Sequence, residues 1–355
     1  MKYISLLPDL QSQVGHILDY HLALKEALAR RGYSHEAWVP RACQIDLPAS
    51  WSKLLLNPKR LYCNSRAHFL ALQQVADPQN SILFLEHFRL IDLFALFWGL
   101  VFQKHRWKIW LLHRYSPLQM KCHGKLHALA YKFLRLKADL TFLTDSELLA
   151  EQLQSVLHQK LTVVPIPHGQ PRTDKKFPKE SHLIYCWWPG GATRPAKGLK
   201  HICHLSHLLA EHEAPIRLIV AKNSQAKGVI ASPSVCFIDD ELSREAYEMW
   251  MNTADITLLP YDPQVYGAAT SGIFVEAISA GKLPLIHRNT WMEYEAKKFG
   301  LRELCIDWES PDILKQIEQI WQDREVKKQL KNMQQHYRSY HCIEKFSDVL
   351  ESCHS

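Results

Sequence analysis

Thr270, Ser271 and Gly272 precede the apolar run IFVEAISAG, and Glu276 follows a little over one helical turn later. Small residues at a helix start leave backbone N–H groups open to an anion, and the helix dipole favours negative charge there. A carboxylate one turn further is placed to accept hydrogen bonds from a ribose diol. The same residues also suit an ordinary Ser N-cap and a solvated helix carboxylate, and spacing alone leaves both readings open. In WPGGATRPAKGLKHI, Gly190 and Gly191 loosen a loop that carries Arg194 and Lys197. A pyrophosphate needs such cations for binding and for departure; a solvated basic loop is the alternative. Gly15 stands between an apolar stretch and a helical pattern, where a tight turn or close ligand approach calls for glycine. The full G-x-G-x-x-G pattern is missing, so a dinucleotide fingerprint is not present. His113 ends the apolar run KIWLLH, at the carboxyl end of a strand, where it could hydrogen-bond a sugar hydroxyl.

The elements that must hold these residues read as strands alternating with helices. YISLL, EAWVP, SILFLEH, KIWLLHR, ADLTFLT and LTVVPIP are apolar runs of strand length. Ile17, Tyr20, Leu24 and Leu28 recur at helical spacing up to Arg30, Arg31 and the stop residue Gly32. HGQPRTDKKFPKE, residues 168–180, is polar and aperiodic and reads as a linker. A second alternation follows, with strands at HLIYCWW, PIRLIVAK, VCFIDD, DITLLPY and KLPLIHR and helices between them. The expected fold class is α/β, with two Rossmann-like doubly wound domains facing a cleft: residues 1–172, residues 173–340, and a final helix at 341–355 packing back toward the first domain. Ligands of open α/β sheets bind at the carboxyl ends of the strands.

Composition excludes several classes. The chain has 355 residues, 47% hydrophobic and 22% charged, which suits two globular domains and not a disordered or low-complexity chain. Nine cysteines without a C-x-x-C pair point to a reducing compartment. The longest apolar run, Leu90–Phe102, contains Asp92 and is too short to span a bilayer. The net charge of +7 divides into +9 for residues 1–175 and −2 for residues 176–355, so the first half should prefer anionic partners. Its densest part joins Lys104, His105, Arg106, Lys108, Arg114, Lys121, Lys125, Lys132, Arg135 and Lys137 with Phe97, Trp98, Phe102, Trp107 and Trp110. Cations among aromatics suit an anionic membrane interface; core aromatics beneath a solvated face are the alternative. Helix-turn-helix, zinc-finger and RRM signatures are missing, and no nucleic-acid partner is expected.

Taken in order, these stretches resemble the GT-B-fold glycosyltransferases, in particular the retaining family-4 group. Gly15-His16 before the helix ending ARRGY is similar to that family's first β–α unit. LLHRYSP is similar to its strand ending in a sugar-contacting His. ADLTFLTDSELLAEQL with LTVVPIPHG resembles the stretch that closes its first domain. RPAKGL resembles its donor-side basic loop, and ADITLLPY with SGIFVEAISAGKLPLI its nucleotide-sugar-binding stretches.

The resemblance implies that Glu276 binds the ribose and that Arg194 and Lys197 stabilise the diphosphate. His113 would contact the transferred sugar, Ser271 and Gly272 would offer N–H groups, and Gly15 and His16 would lie near acceptor and sugar. It implies a hexosyltransferase-type enzyme that retains configuration, takes a nucleotide-diphosphate sugar as donor substrate and needs no cofactor; the sequence offers no D-x-D motif of the metal-dependent type, so no metal is expected. Helix N-termini and cations would stand in for Mg²⁺. The acceptor would be an envelope glycan or a lipid-linked saccharide, and the enzyme cytoplasmic, at or near the inner membrane face. Asp9 and Asp19 are weak candidates for a base; solvated carboxylates explain them better. Two positions depart from the family pattern. Ala268 stands where a second Glu is usual, eight residues before Glu276, and Ala192 where the basic-loop Arg is usual. They motivate the rival reading, a non-catalytic glycosyltransferase-like subunit or sugar-nucleotide binder. A sugar-nucleotide 2-epimerase is a further possibility on this fold.

Overall fold

A computed structural model describes residues 1–10, 17–56, 61–86, 88–115, 123–171, 173–191 and 194–354. The chain divides into two units: Met1–His168 with the residues from Ile343 onward, and Gly169–Cys342.

The first unit runs β1 (Lys2–Leu6), α1 (Ile17–Ala29), β2 (Ser34–Pro40), β3 (Trp51–Leu55), α2 (Leu61–Leu72), β4 (Ser81–Leu85), α3 (Leu90–Val101), β5 (Trp107–His113), α4 (His123–Arg135), β6 (Ala138–Thr144), α5 (Glu147–Leu157) and β7 (Thr162–Val163). The strands are all parallel, in the order β3-β2-β1-β4-β5-β6-β7. Both faces of such a sheet are covered, which is why its strands read as continuous apolar runs. β4 is buried at every position.

The second unit runs β8 (Ile184–Trp187), α6 (Leu199–Glu211), β9 (Ile216–Ala221), β10 (Val235–Ile238), α7 (Arg244–Thr253), β11 (Ile256–Leu259), α8 (Pro263–Tyr266), α9 (Gly272–Ser279), β12 (Leu283–Ile286), α10 (Trp291–Lys298), α11 (Ile313–Gln322) and α12 (Arg324–Tyr340). Its sheet is parallel too, in the order β10-β9-β8-β11-β12. The last helix, α13 (Ile343–Ser352), belongs to the first unit. Phe346 and Leu350 enter that unit's core with Tyr3, Tyr20 and Trp110, and the Ser347 hydroxyl donates to the Ala27 carbonyl over 3.1 Å. Arg30 and Arg31, at the end of α1, pair with Glu344 and Asp348 of α13.

Several expectations change. LTVVPIP is a strand only over two residues, because Pro165 and Pro167 have no N–H to give the ladder. β3 was not expected; it is a short edge strand with only its two end residues buried. The linker reading of residues 168–180 fails at its far end, where the segment is fastened to the second unit. Phe177 packs on Trp250 at 4.4 Å, its N–H donates to Thr253, and the Asn252 amide donates to the Thr173 carbonyl over 2.6 Å. In the basic segment, Trp107 and Trp110 are core residues and Arg114 is buried in an ion cluster, so none of the three is an interface group. Lys121 lies outside the described residues.

That ion cluster caps three neighbouring strands. Glu86 directly follows β4, Arg114 follows β5 and Asp145 follows β6. The Arg114 Nε lies 3.2 Å from Glu86 and 3.3 Å from Asp145, and its guanidinium stacks 4.7 Å from the Tyr20 ring. His21 Nε2 on α1 is 2.8 Å from the other Glu86 oxygen. Among the described residues no helix is long and apolar enough to cross a membrane.

Candidate active site

In the second unit the strand order reverses between β8 and β11, and loops leaving adjacent strands at such a point open a crevice. The loop after β8 and the loop after β11 are in close contact. The Asp262 N–H donates to the Ala196 carbonyl over 2.9 Å. Gly198 has φ +82°, and a Cβ there would lie 2.0 Å from the Pro260 carbonyl oxygen. Glycine is required twice over, for the left-handed backbone and for the approach. The 3-10 turn Pro195–Lys197 thereby holds Lys197 against the chain after β11.

Lys197 is buried with its Nζ 3.7 Å from the centre of the Tyr261 ring and 4.8 Å from that of Tyr266. The two ring faces hold the ammonium by cation–π attraction, which gains strength where water is excluded. Burial, with the charge of Arg194 adding to it, lowers the Lys197 pKa to about 7. An anion bound beside it would restore its proton. Nucleotide diphosphate affinity should therefore fall as pH rises above about 7, by up to about tenfold per pH unit. Calorimetric titration from pH 6 to 8.5 measures this, and a flat profile would show that Lys197 does not meet the phosphates. Arg194 is exposed at the rim of the same loop.

Ser271 caps α9: its hydroxyl accepts from the Phe274 N–H over 3.3 Å. The cap uses the side chain of Ser271, and Gly272 is the first helical residue. Ser271 also neighbours the Tyr261 hydroxyl, which feels the charges of Arg194 and Glu276 as well. The four residues read from the sequence, Arg194, Lys197, Ser271 and Glu276, thus share surroundings centred on Tyr261.

Glu276 is buried on α9 and is not the solvated carboxylate of the alternative reading. The Tyr247 hydroxyl donates to one of its oxygens over 2.6 Å, and the Arg244 guanidinium donates to the other over 3.0 Å. Arg244 also donates to Glu248 over 2.7 Å. Burial and the Glu276 charge keep the Tyr247 phenol protonated, so it acts as a donor. Its ring meets Trp187, the last residue of β8, at 5.1 Å. Sequence reading missed Arg244, Tyr247 and Tyr266, and took Tyr261 only as the end of the stretch ADITLLPY. Arg244 and Glu248 stand at an i, i+4 spacing that was visible, but nothing local pointed from α7 to Glu276.

Other sequence-derived residues fall elsewhere. His113 ends β5 in the first unit, as expected, and is buried. Phe88, Tyr131 and Phe142 surround its ring, and its Nε2 is 3.4 Å from the Tyr131 hydroxyl. Burial, reinforced by His127, lowers its pKa to about 3, so the imidazole is neutral. Its chemistry is that of a hydrogen-bonding group and not of a proton donor. Gly15, His16 and Ala192 lie outside the described residues. Ala268 is buried and supplies no second carboxylate.

No protein-family model matches the sequence, and no curated protein does. Solved structures do. WaaG, a glycosyltransferase involved in lipopolysaccharide biosynthesis, aligns at 13% identity and a TM-score of 0.64 over 98% of this chain and 99% of its own. A glycosyltransferase from Rickettsia africae aligns at 10% identity and a TM-score of 0.71 over 99% of this chain and 97% of its own. The UDP-GlcNAc 2-epimerase from Neisseria meningitidis, bound to UDP-GlcNAc, aligns at 14% identity and 0.61 over 99% of both chains. Likeness over the full length, through both parallel sheets, shows that this chain has the GT-B fold.

Proposed function

We propose that the protein is a nucleotide-sugar-dependent glycosyltransferase of hexosyltransferase type, with its donor held by the second unit. The observation that carries this reading is the meeting of three groups around Tyr261: a buried cation, a helix start and a buried carboxylate. Each suits one part of the donor. Lys197, with Arg194 at the rim, balances the diphosphate as it binds and as it leaves. N–H groups at the start of α9, where Ser271 and Gly272 stand, meet a phosphate oxygen. Glu276 accepts from the ribose diol, and Arg244 and Tyr247, which donate to its two oxygens, orient that carboxylate while the ribose is in place. His113, neutral and donating or accepting one hydrogen bond, would contact the sugar, with Gly15 and His16 near it. The acceptor proposed is an envelope glycan or lipid-linked saccharide at the cytoplasmic face of an anionic membrane. Transfer would retain configuration, through attack from the face the diphosphate leaves.

A mass-spectrometric screen of UDP-, GDP- and ADP-sugars, read for hydrolysis and for transfer, tests this. Turnover with one nucleotide and unchanged turnover in EDTA are the expected results; neither turnover nor nucleotide binding at millimolar donor would sink the reading. Buried Ala268 favours one rival, a non-catalytic sugar-nucleotide binder. That rival keeps nucleotide binding with no transfer for the Glu276 and Lys197 variants to lose. An epimerase would interconvert its nucleotide sugar with no acceptor present.

A further inference from the structure

We propose that the second unit carries a further binding site, for one neutral sugar residue, in a cavity beside β12. None of the groups around Tyr261 lines it, and it stands without the functional reading above.

β12 is the edge strand of its sheet, and the backbone of Cys305 pairs in parallel with its last residue, Ile286. In the chain after that pair Ile306 and Trp308 are buried while Asp307 and Glu309 are exposed. The Trp308 indole N–H donates to the Ile286 carbonyl over 3.2 Å and fixes the ring against the strand end. His287 and Arg288 follow β12 directly, and His201 meets them from the first turn of α6. The space these residues line has a volume of about 290 Å³. Ligand pockets begin at roughly 300 Å³, so this one suits a single sugar ring and not a whole nucleotide sugar.

His201 is the group that points to a ligand. It is 5% exposed, and neither of its ring nitrogens hydrogen-bonds to a described residue. Its ring lies 5.8 Å from that of His287 and 6.1 Å from that of Trp308, and it forms part of the cavity wall. A buried polar group in this state costs stability unless a ligand supplies its partner. Burial, with the charges of Lys200 and His287 adding to it, lowers the His201 pKa to about 4. The ring is therefore neutral and offers one donor and one acceptor. His287 Nδ1 donates to the Arg288 carbonyl over 2.9 Å, which leaves Nε2 of its neutral ring to accept.

Charge narrows the ligand to a neutral one. Asp307, Glu309 and Arg288 line the cavity, and Lys200 closes on Glu309 over 3.0 Å. Two charges of each sign cancel; an anion would meet the carboxylates and a cation the guanidinium. A sugar hydroxyl both donates and accepts, which suits carboxylates, a guanidinium and neutral imidazoles together. Ile306 and Trp308 supply an apolar floor for the ring carbons. Among the described residues no three His, Cys, Asp or Glu side chains converge as metal ligands must.

Saturation-transfer NMR on the full-length protein, with methyl α-glucoside and N-acetylglucosamine as probes, tests the site. At least one probe should saturate with a dissociation constant on the order of 1 mM, the range for about a dozen non-hydrogen atoms in an open pocket. His201→Leu should weaken binding about tenfold or more. The same variant should hold or raise the unfolding temperature, because an apolar group replaces an unpartnered polar one. A histidine with only a structural role would give the reverse, lower stability with unchanged affinity. Arg288→Ala, at an exposed position, should weaken binding about threefold to tenfold with the core untouched. Saturating uridine diphosphate should leave probe binding unchanged, and so should Lys197→Met. Wild-type affinity in His201→Leu, no saturable signal with either probe, or displacement by uridine diphosphate would overturn the proposal. Should His201→Leu fail to fold, wild-type affinity in Arg288→Ala would overturn it instead. Inorganic phosphate binding that His201→Leu abolishes would do so too, since the cavity would then be an anion site. A protein without sugar transfer would still bind the probe, and an empty cavity would leave nucleotide binding beside Tyr261 intact.

Discussion

Lys197→Met should lower sugar transfer about 10²–10³-fold, the loss expected when one preorganised group facing developing charge is removed from a water-poor site. Methionine keeps most of the aliphatic volume against Tyr261 and Tyr266, so packing changes little while the cation disappears. The loss should fall mainly on kcat if Lys197 acts on the departing diphosphate, because charge there is greatest in the transition state. The pH dependence of nucleotide affinity above about 7 should vanish in the same variant. Steady-state kinetics with saturating donor separate the cases. A variant with wild-type kcat would remove Lys197 from the chemistry.

Arg114→Met should destabilise the first unit by roughly 3–5 kcal/mol, the cost of removing one member of a buried ion cluster. Arg114 stands between Glu86 and Asp145, and all three are buried. Without the guanidinium, two buried carboxylates lose the cation between them, although Glu86 keeps His21 at 2.8 Å. Their folded-state pKa values would then rise above the unfolded ones. Stability contributed by a group with a raised pKa is present at low pH and lost as pH rises, so the deficit should shrink on acidification. Urea unfolding at pH 7 and at pH 5 measures both quantities. Adding Glu86→Gln and Asp145→Asn to Arg114→Met should restore most of the stability at pH 7, since neutral amides remove the like-charge repulsion. A variant as stable as wild type would show that the cluster adds little beyond its own desolvation cost.

Much of the fold was legible because parallel strands are apolar throughout. ADLTFLT stands in the structure with the ends read from the sequence, residues 138–144. Edge features were less legible. β3 is polar at its centre and gains its place by pairing with β2 and by burying Trp51 in the core. Trp107 and Trp110 sit among cations in the sequence, and an aromatic next to a lysine reads the same whether it faces lipid or core. The place of the strand decides it: both lie on β5, between two other strands and buried on opposite faces of the sheet. The site divides in a similar way. Ser271 and Glu276 were readable since one helix start places both. Arg244 and Tyr247 come from a helix about thirty residues earlier, and only the packing of α7 beside α9 makes them partners of Glu276. Lys197 was readable as a cation, but its two-ring enclosure depends on loops of different strands.

The order of synthesis takes on meaning from α13. The second unit is one uninterrupted stretch and can close as soon as it has left the ribosome. The core of the first unit is not complete at that point: Tyr3 and Tyr20 pack with Phe346 and Leu350, which are made after the second unit. Until then a strip of apolar surface along α1 stays open, so the half that is translated first is the half that matures second. A released chain that stops at residue 342 should hold a protease-resistant second unit beside a first unit still open to cleavage.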